Sequence, residues 1–494
     1  MATHLRRGRP AHGRAGRDRR PITVRLEEIR RIAEGGAPIE PDLLLRSLVD
    51  PDPRVRRAAA WSLGTLKDSR GRSALEASLH DPDAPVRGTA AEALGLLGRP
   101  ESREALERTL ADPVERVRAQ AAWALWSVAD ARSVPALCPL LSDADPQVRW
   151  AAVSALGRVR APEVRALLTA ALADPHDRVR RQAVLALGEG PEADAAELVR
   201  PFLDDPARRV RIATCVVLGR RRDGASVGAL LERVVRDETW VRPAALVALG
   251  RIGDERAVPY LVSACADPAS WVRVCALRAL GEMRAPEGRA PALALLTDPA
   301  WSVRGAAAEM LGRFGGPEDL GPLLARLEDD HPWPRRGALY ALGQLGLSAG
   351  APRMREELKH PAAEVRLAAV WALGHLGDDG ARASLISLLR GLSPTPLADR
   401  TLAESDGAVR LVSDAGSRLF DATVQALGRL HDGDADRGVE RALWDALARV
   451  GDEELERAAR LPYPESPRDA PSPTLGQLFE AALPASGEED DLGC

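Results

Sequence analysis

Tryptophan and arginine side chains recur at a few positions of an internal repeat, and both residue types favour binding over bond-breaking chemistry. Eight of the ten tryptophans fall in four columns, a column being the set of residues separated by multiples of 31. These are the columns of Pro53, Arg54, Arg57 and Trp61. An indole offers an apolar face that attracts cations, and a guanidinium offers five donors that suit carboxylates and phosphates. Both are enriched at dominant positions of protein interfaces, so the spacing predicts a binding surface.

The predicted binding surface consists of the aromatic and basic members of these columns. They are Trp61, Trp123, Trp150, Trp240, Trp271, Trp301, Trp333, Tyr340, Trp371, Arg54, Arg57, Arg116, Arg178, Arg181, Arg208 and Arg209. Two further arginines fall in the columns, Arg278 and Arg336, and only five acids do, Glu92, Glu115, Asp177, Glu309 and Glu364. Arginine dominates the first six copies and tryptophan the last five. We therefore expect a ligand that is acidic at one end and apolar or proline-rich at the other.

A competing interpretation explains the same columns without a ligand. Curvature of the repeat array would bring the indoles into contact with neighbouring layers, and their exposed area would then be covered by the chain itself.

Another set of arginines recurs every 31 residues without a slip and defines the repeat. A leucine follows each of them after seven residues, from Leu63 to Leu373. A fixed period of this length is typical of helical repeats that stack on their neighbours. The eleven arginines are Arg56, Arg87, Arg118, Arg149, Arg180, Arg211, Arg242, Arg273, Arg304, Arg335 and Arg366.

Each copy is predicted to contain two helices. Apolar residues at 55, 59, 62, 63 and 66 lie on one face of a helix at about 53–64, which we call the B helix. An Asp-Pro step before it supplies a cap and a fixed φ, and Gly64 is expected to take the left-handed conformation at its end. Short A helices are predicted at 72–79, 103–110, 257–265 and 382–389. A capping helix is predicted at Ile22–Ala33.

Helical geometry places the eleven repeat arginines on the side of the core leucines. A buried guanidinium needs a partner. Acids recur at a matching interval, at Asp81, Asp112, Asp143, Asp174, Asp205, Asp267, Asp298 and Asp329. We therefore predict an Asp–Arg ladder that joins loops and layers. The functional alternative is a row of phosphate-binding arginines.

The repeat resembles the HEAT-like repeats of the phycobilisome-lyase type. The resemblance rests on the pattern D-P-x-x-x-V-R-x-x-A-A-x-A-L-G, which Asp50–Gly64 and Asp143–Gly157 follow with a few substitutions, and it covers about residues 41–390. It implies an all-α fold, an α-solenoid in which about eleven to twelve 31-residue helix pairs form a right-handed superhelix, with the B helices on the concave wall. That family includes scaffolds, bilin lyase subunits and enzyme accessory domains, so function stays open.

The chain is predicted to have five segments. Residues 1–21 form a basic disordered arm, and 22–390 form the repeat array with its capping helix. An inserted loop follows at 391–416 and a degenerate C-terminal repeat at 417–461. Residues 462–494 are proline-rich and acidic and are expected to be mostly disordered.

Bulk properties and motifs point away from several kinds of chemistry. The net charge is −4, and the five cysteines show no metal-binding or disulfide spacing. No apolar run is long enough to span a bilayer, and we expect a cytoplasmic protein. No glycine-rich phosphate loop, nucleophile elbow or His-Glu-x-x-His motif occurs. The His-Glu pairs that deoxyhypusine hydroxylase uses are absent too, so no cofactor or metal is predicted.

The leading functional hypothesis is a non-catalytic scaffold that binds a partner protein or peptide in a concave groove lined by tryptophan and arginine. One alternative is a nucleic-acid-binding solenoid, in which arginines contact phosphates and indoles stack on bases. Another, implied by the resemblance, is a lyase- or oxidoreductase-type enzyme or enzyme subunit. HEAT-like DNA glycosylases use aromatic and acidic residues in a concave groove, and Trp123 with Glu92 or Glu115 is the nearest match to that pattern.

Overall fold

The computed structural model describes residues 20–33, 41–191, 194–238 and 240–391, and within these ranges the chain forms helices and no strand. Most of the predicted basic arm, the inserted loop after its first residue, the C-terminal repeat and the acidic tail lie outside the described residues. The chain divides into two compact units, which we call unit 1 (Met1–Val217) and unit 2 (Leu218–Cys494).

Unit 1 alternates short A helices with longer B helices. In chain order its helices are α1 (Ile22–Ala33), α2 (Pro41–Ser47), α3 (Pro53–Thr65), α4 (Arg72–Ser78), α5 (Ala84–Leu97), α6 (Arg103–Thr109), α7 (Glu115–Leu125), α8 (Val134–Leu137), α9 (Pro146–Leu156), α10 (Pro162–Ala171), α11 (Asp177–Glu189), α12 (Ala195–Val199) and α13 (Arg208–Arg221), which ends in unit 2. Even-numbered helices are A helices and odd-numbered helices from α3 onward are B helices.

Unit 2 continues the same alternation. Its helices are α14 (Val227–Arg236), α15 (Arg242–Ile252), α16 (Val258–Ala264), α17 (Ser270–Met283), α18 (Arg289–Leu295), α19 (Trp301–Phe314), α20 (Leu320–Arg326), α21 (Pro332–Gln344), α22 (Ala351–Glu356), α23 (Ala363–Leu376) and α24 (Arg382–Gly391).

Successive B helices pack side by side and form the core of each unit. In unit 1, α3 packs on α5, α5 on α7, α7 on α9 and α9 on α11, and in unit 2 the same succession runs from α15 to α23. The repeat leucine is buried in every such layer, and so is the repeat valine, whose place Pro334 takes in α21; Val55 and Leu63, for example, are fully buried in α3. The prediction of an all-α solenoid is therefore confirmed.

The repeat glycine has a different role from the one predicted. Gly64 lies inside α3 and is buried, and a Cβ added there would lie 2.7 Å from the Cα of Ala93 on the next B helix. Glycine thus allows two B helices to approach closely, and the predicted left-handed conformation at Gly64 is wrong. That conformation occurs three residues later, at Lys67 (φ 52°) and, one repeat on, at Gly98 (φ 58°).

The repeat arginines connect consecutive layers. Arg56 donates from Nε and Nη2 to the two carboxylate oxygens of Asp81 (2.6 and 2.7 Å) and from Nη1 to the carbonyl oxygen of Asp50 (2.8 Å). Asp81 also accepts from the backbone N–H of Asp83 (2.9 Å), so one carboxylate joins two loops. The pairing with an acid 25 residues ahead recurs in Arg87–Asp112, Arg118–Asp143, Arg149–Asp174, Arg180–Asp205, Arg242–Asp267, Arg273–Asp298 and Arg304–Asp329.

The ladder changes where the acid changes. Position 360 carries histidine instead of aspartate, and Arg335 donates to Glu357 instead (3.0 Å). Arg366 donates to the carbonyl oxygens of His360 and Pro361, and Arg211 to those of Asp205 and Pro206. Backbone carbonyls thus hold both of these arginines, like Arg56, on their own loops.

A twelfth arginine belongs to the ladder and was not predicted. Arg25, on α1, pairs with Asp50, 25 residues ahead, and both side chains are buried. The capping helix is therefore built on the plan of a B helix. The sequence signal was the Val24-Arg25 step one repeat before Val55-Arg56, with Ile32 in place of the repeat leucine.

Candidate functional site

A cleft of about 660 Å³ lies on the B helices of unit 1. The four columns of the predicted binding surface form what we call the B face. Three indoles of this face line the cleft together with three carboxylates and one guanidinium; these residues are Trp61, Trp123, Trp150, Glu92, Glu115, Asp145 and Arg116. The cleft is thus aromatic and has more negative than positive charge, although arginine dominates the columns of unit 1 as a whole.

The spacing of two tryptophans keeps the cleft open. Trp61 on α3 and Trp123 on α7 occupy one column, two copies apart, and Glu92 on α5 occupies the copy between them. The two indoles are 49% and 41% exposed. Exposed aromatic area of this extent around a concavity is typical of a site that a ligand covers.

Glu92 is held in place by a neighbouring amide. Gln120 donates from Nε2 to Glu92 Oε1 (2.9 Å). Gly88 makes room for this amide, because a Cβ there would lie 1.8 Å from Gln120 Oε1. Ala119 contributes a small side chain to the wall of the cleft. The carboxylate therefore has a fixed position, and the small side chain of Ala119 leaves space beside it in the cleft.

A basic cluster adjoins the cleft. The Arg178 guanidinium carbon lies 5.3 Å from the ring centroid of Trp150, which itself lines the cleft. Burial lowers the pKa of Arg181, and the charges of Arg209 and Arg178 lower it further. In the part of the chain that the structure describes, these three arginines make no ion pair with a carboxylate within 4.0 Å. The charge of Asp177 acts on Arg181 in the opposite direction, so the positive charge of the cluster is compensated only in part.

The other predicted arginines of unit 1 are less closely grouped. Arg116 is exposed at the cleft, and Arg57 and Arg208 are exposed as well. Arg54 pairs with Asp52, the capping residue of its own helix (2.9 Å). The hydrogen bond from Arg54 is the main cause that lowers the pKa of Asp52 to about 2.

The indoles of unit 2 contact one another or another ring. Trp240 and Trp271, in one column of adjacent copies, stack with centroids 5.2 Å apart. Trp301 stacks on His331 (4.1 Å) and meets Trp333 edge to face (6.2 Å). Trp301 keeps 43% of its surface exposed, whereas Trp240, Trp271 and Trp333 are half-buried.

At the far end of the B face of unit 2, the expected exposure is wrong. Tyr340 and Trp371 are only 4% and 7% exposed, because their rings pack edge to face at 5.2 Å and Trp371 also stacks on His375. Arg336, also buried, places its guanidinium carbon 4.4 Å from the ring of Trp333 and 5.5 Å from that of Tyr340. The competing interpretation, in which neighbouring layers of the array cover the aromatic side chains, therefore applies to Tyr340 and Trp371.

The acid–aromatic pairing noted in the sequence is also found in the cleft. Trp123, Glu92 and Glu115 all line it. Among the residues described, no group of three or more His, Cys, Asp or Glu side chains has the arrangement that a metal ion needs. None of the described helices is both long enough and apolar enough to cross a membrane.

A family model described as HEAT repeats matches residues 41–126, 109–188, 196–274, 263–343 and 321–394. The chain belongs to the HEAT-repeat family. The narrower resemblance to the phycobilisome-lyase type remains a prediction. No curated protein matches the sequence.

Solved HEAT-type and related solenoids resemble the chain in fold. Yeast importin-β (Kap95p) is 14% identical with a TM-score of 0.58, and the match covers 88% of this chain and 68% of that one. The karyopherin Kap121p is 13% identical with a TM-score of 0.54, covering 87% and 57%. The CpcE–CpcF complex of phycocyanin lyase from Nostoc sp. is 25% identical over 56% of this chain and 96% of that one, with a TM-score of 0.28. At these identities, the two karyopherins show the solenoid fold alone.

Proposed function

We propose that the protein is a non-catalytic HEAT-repeat scaffold that binds an extended segment of a partner protein on the B face of unit 1. The observation that carries this proposal is the cleft between Trp61 and Trp123, where two indoles of one column stay open. Large rigid aromatic side chains in a concavity are the usual anchors of a protein interface. The adjoining cluster of Arg178, Arg181 and Arg209 would hold acidic groups of the same segment.

A chain segment suits this surface better than a folded domain does. The cleft and the basic cluster follow one another along consecutive B helices, and a strand-like segment contacts such a row with alternate side chains. Kap121p, which resembles this chain in fold, was solved bound to the extreme C-terminus of the protein phosphatase Cdc14p. That complex supports the proposal because it is an example of a solenoid that binds the terminal segment of another protein.

The test is selection of a random peptide library on the full-length protein. Sequences enriched on the wild type are then measured against the double variant Trp61→Ala/Trp123→Ala. We expect affinity to fall by at least tenfold, because two exposed hot-spot side chains of this kind each contribute about 2 kcal/mol or more.

A matched control separates the cleft from a general effect of losing tryptophan. Trp126 is 48% exposed but does not line the cleft, and Arg158 lies over its ring at 4.9 Å. Trp126→Ala should leave peptide affinity unchanged. Equal affinity of the wild type and the double variant, with both folded, would reject the proposal.

The basic cluster favours a second candidate, a nucleic acid bound through its phosphates. Such binding would weaken steeply with salt and would be lost in Arg181→Gln/Arg209→Gln. We place it second because Glu92, Glu115 and Asp145 would repel a phosphate chain at the cleft. Labelled single- and double-stranded DNA at low salt, measured on the same variants, decides between the two candidates.

A further inference from the structure

We infer that the cleft of unit 1 recognises an arginine side chain of the partner segment, with its guanidinium between the indole of Trp123 and the carboxylate of Glu92. This inference rests on the proposed function and names the chemistry of the residue that enters the cleft. It comes from a constellation that the repeat uses twice.

In unit 2, the repeat supplies its own guanidinium. Arg336 lies on α21, with its guanidinium carbon 5.5 Å from the ring of Tyr340 on the same helix. Glu309 lies on the preceding B helix, α19. Burial raises the pKa of the Tyr340 phenol, and the charges of Arg336 and Glu309 act on it in opposite directions. A buried cation therefore lies against an aromatic ring, and an acid on the neighbouring helix is close enough to act on the same ring.

Unit 1 repeats the acid and the ring without a guanidinium at the position equivalent to Arg336. Glu92, Ala119 and Trp123 stand 217 residues, or seven repeats of 31, before Glu309, Arg336 and Tyr340. All three line the cleft. The methyl group of Ala119 occupies the position from which Arg336 projects, so the volume that an arginine fills in unit 2 is open in unit 1.

The small residues beneath the two constellations are related in the same way. Gly88 and Gly305 are also seven repeats apart. At Gly305 the freed space is taken by Trp333, whose Cδ1 would lie 1.9 Å from an added Cβ, and this indole covers Arg336 at 4.4 Å. At Gly88 the space is taken by Gln120, which orients Glu92. In unit 1, Gly88 therefore leaves room for the amide that orients the Glu92 carboxylate toward the incoming cation.

The charge and shape of the cleft select a planar cation. Three carboxylates and one guanidinium line it, so a positive side chain gains attraction where a carboxylate or phosphate would be repelled. A guanidinium is planar, stacks on an indole and forms paired hydrogen bonds with a carboxylate, whereas an ammonium is a compact, strongly hydrated charge.

The experiment uses full-length protein labelled with 5-fluorotryptophan, with the ¹⁹F resonance of each cleft indole assigned by its Trp→Phe variant. N-acetyl-arginine amide is titrated at constant ionic strength. We expect saturable shifts at Trp61 and Trp123 and none at Trp126. N-acetyl-lysine amide should bind at least threefold more weakly and N-acetyl-glutamine amide at least tenfold more weakly. Equal affinity for either probe, or no saturable shift, would overturn the inference.

Two variants test the constellation itself. Ala119→Arg places a tethered guanidinium at the position equivalent to Arg336 and should lower the affinity for the arginine probe at least tenfold. Glu92→Gln keeps the shape of the side chain but removes its charge. It should lower the affinity for the arginine probe about threefold to tenfold and leave the affinity for the glutamine probe unchanged. Unchanged arginine affinity in Glu92→Gln counts against the inference even if Ala119→Arg proves unstable.

Failure here is distinguishable from failure of the proposed function. If library peptides without arginine bind the wild type and lose affinity in Trp61→Ala/Trp123→Ala, the scaffold proposal stands and the arginine inference falls. If no peptide depends on these indoles, both fall.

Discussion

The B faces of the two units use the same columns but differ in how far their aromatic side chains contact one another. In unit 2, aromatic residues of one column lie in adjacent copies, and Tyr340 with Trp371 and Trp240 with Trp271 make ring contacts at 5.2 Å. In unit 1, Trp61 is two copies from Trp123 and remains 49% exposed. The difference teaches that spacing along the array decides whether an indole becomes a layer contact or an open face.

The scaffold beneath these faces is the same in both units. Arg118 in unit 1 and Arg273 in unit 2 each make two hydrogen bonds to an aspartate 25 residues ahead, at 2.7–3.0 Å. Because the ladder holds successive loops together in each unit, the two faces can differ in their columns without a change in the fold.

Acid should produce the largest effect, through the ladder carboxyls of unit 1. Lowered pKa values occur at five ladder carboxyls of unit 1 and, in unit 2, at Asp329. For Asp143 the hydrogen bond from Arg118 lowers the pKa against the opposing effect of burial. For Asp81 burial is the largest single influence and raises the pKa, but the hydrogen bonds from Arg56 and Asp83 and the charges of Arg56 and Arg87 together lower it.

A lowered pKa in the folded state stabilises the fold above the ordinary aspartate range, about 3.9, and that stability is lost as pH falls through the folded value. We therefore expect unit 1 to lose protection progressively as pH falls from about 5 to 2. Hydrogen exchange read by mass spectrometry on peptides of unit 1, corrected for intrinsic exchange, measures this. Unchanged protection of unit 1 down to pH 2 would contradict the expectation.

Removing a closed indole should cost far more than removing an open one. Trp371→Ala deletes a buried ring that contacts Tyr340 and His375, and we expect a loss of about 3–5 kcal/mol in the free energy of unfolding. Trp61→Ala should cost less than about 1 kcal/mol. Urea unfolding followed by circular dichroism compares them, and similar losses would show that Trp61 is not an open side chain in solution.

Weakening one rung of the ladder should have an intermediate effect that is equal in the two units. Asp143→Asn and Asp298→Asn each keep an acceptor but lose the charge that faces the guanidinium, and we expect each to cost about 1.5–3 kcal/mol. Asp130→Asn is the control, because its pair with Arg132 is exposed, and it should cost less than about 1 kcal/mol. A marked difference between the two ladder variants would mean that the shared scaffold is not equivalent in the two units.

Much of the fold follows from the sequence because the period is fixed. The Val-Arg step, the Asp-Pro caps and the leucine seven residues later locate the B helices to within a residue or two, and α3 ends one residue beyond its predicted limit. The role of Gly64 does not follow from one copy, since a helix-ending glycine and a close-packing glycine look alike in sequence. The contact with Ala93 that separates them joins two copies.

The candidate site follows from the sequence only in part. The columns can be read from the sequence. Whether a side chain in a column is exposed or covered depends on which side chains the neighbouring copies place against it. Comparison of positions seven repeats apart reveals that Ala119 replaces the arginine of unit 2, while the burial of Tyr340 and Trp371 depends on contacts that no single column shows.

The smallest expected change in stability comes from converting the open face into a closed one. Glu92→Trp would place indoles in three successive copies of one column, at 61, 92 and 123, as Tyr340 and Trp371 occupy successive copies in unit 2. The new ring contacts contribute about 0.5–1.5 kcal/mol and offset the lost hydrogen bond from Gln120, so stability should change by less than about 1 kcal/mol.

Peptide binding to the Glu92→Trp variant should be lost because the cleft is filled, and coupled indoles should add an exciton signal to the far-ultraviolet circular dichroism. Glu92→Gln, which removes the charge without a ring, should show no such signal. Retained binding together with an unchanged spectrum would mean that spacing between copies does not by itself decide whether these indoles close on one another.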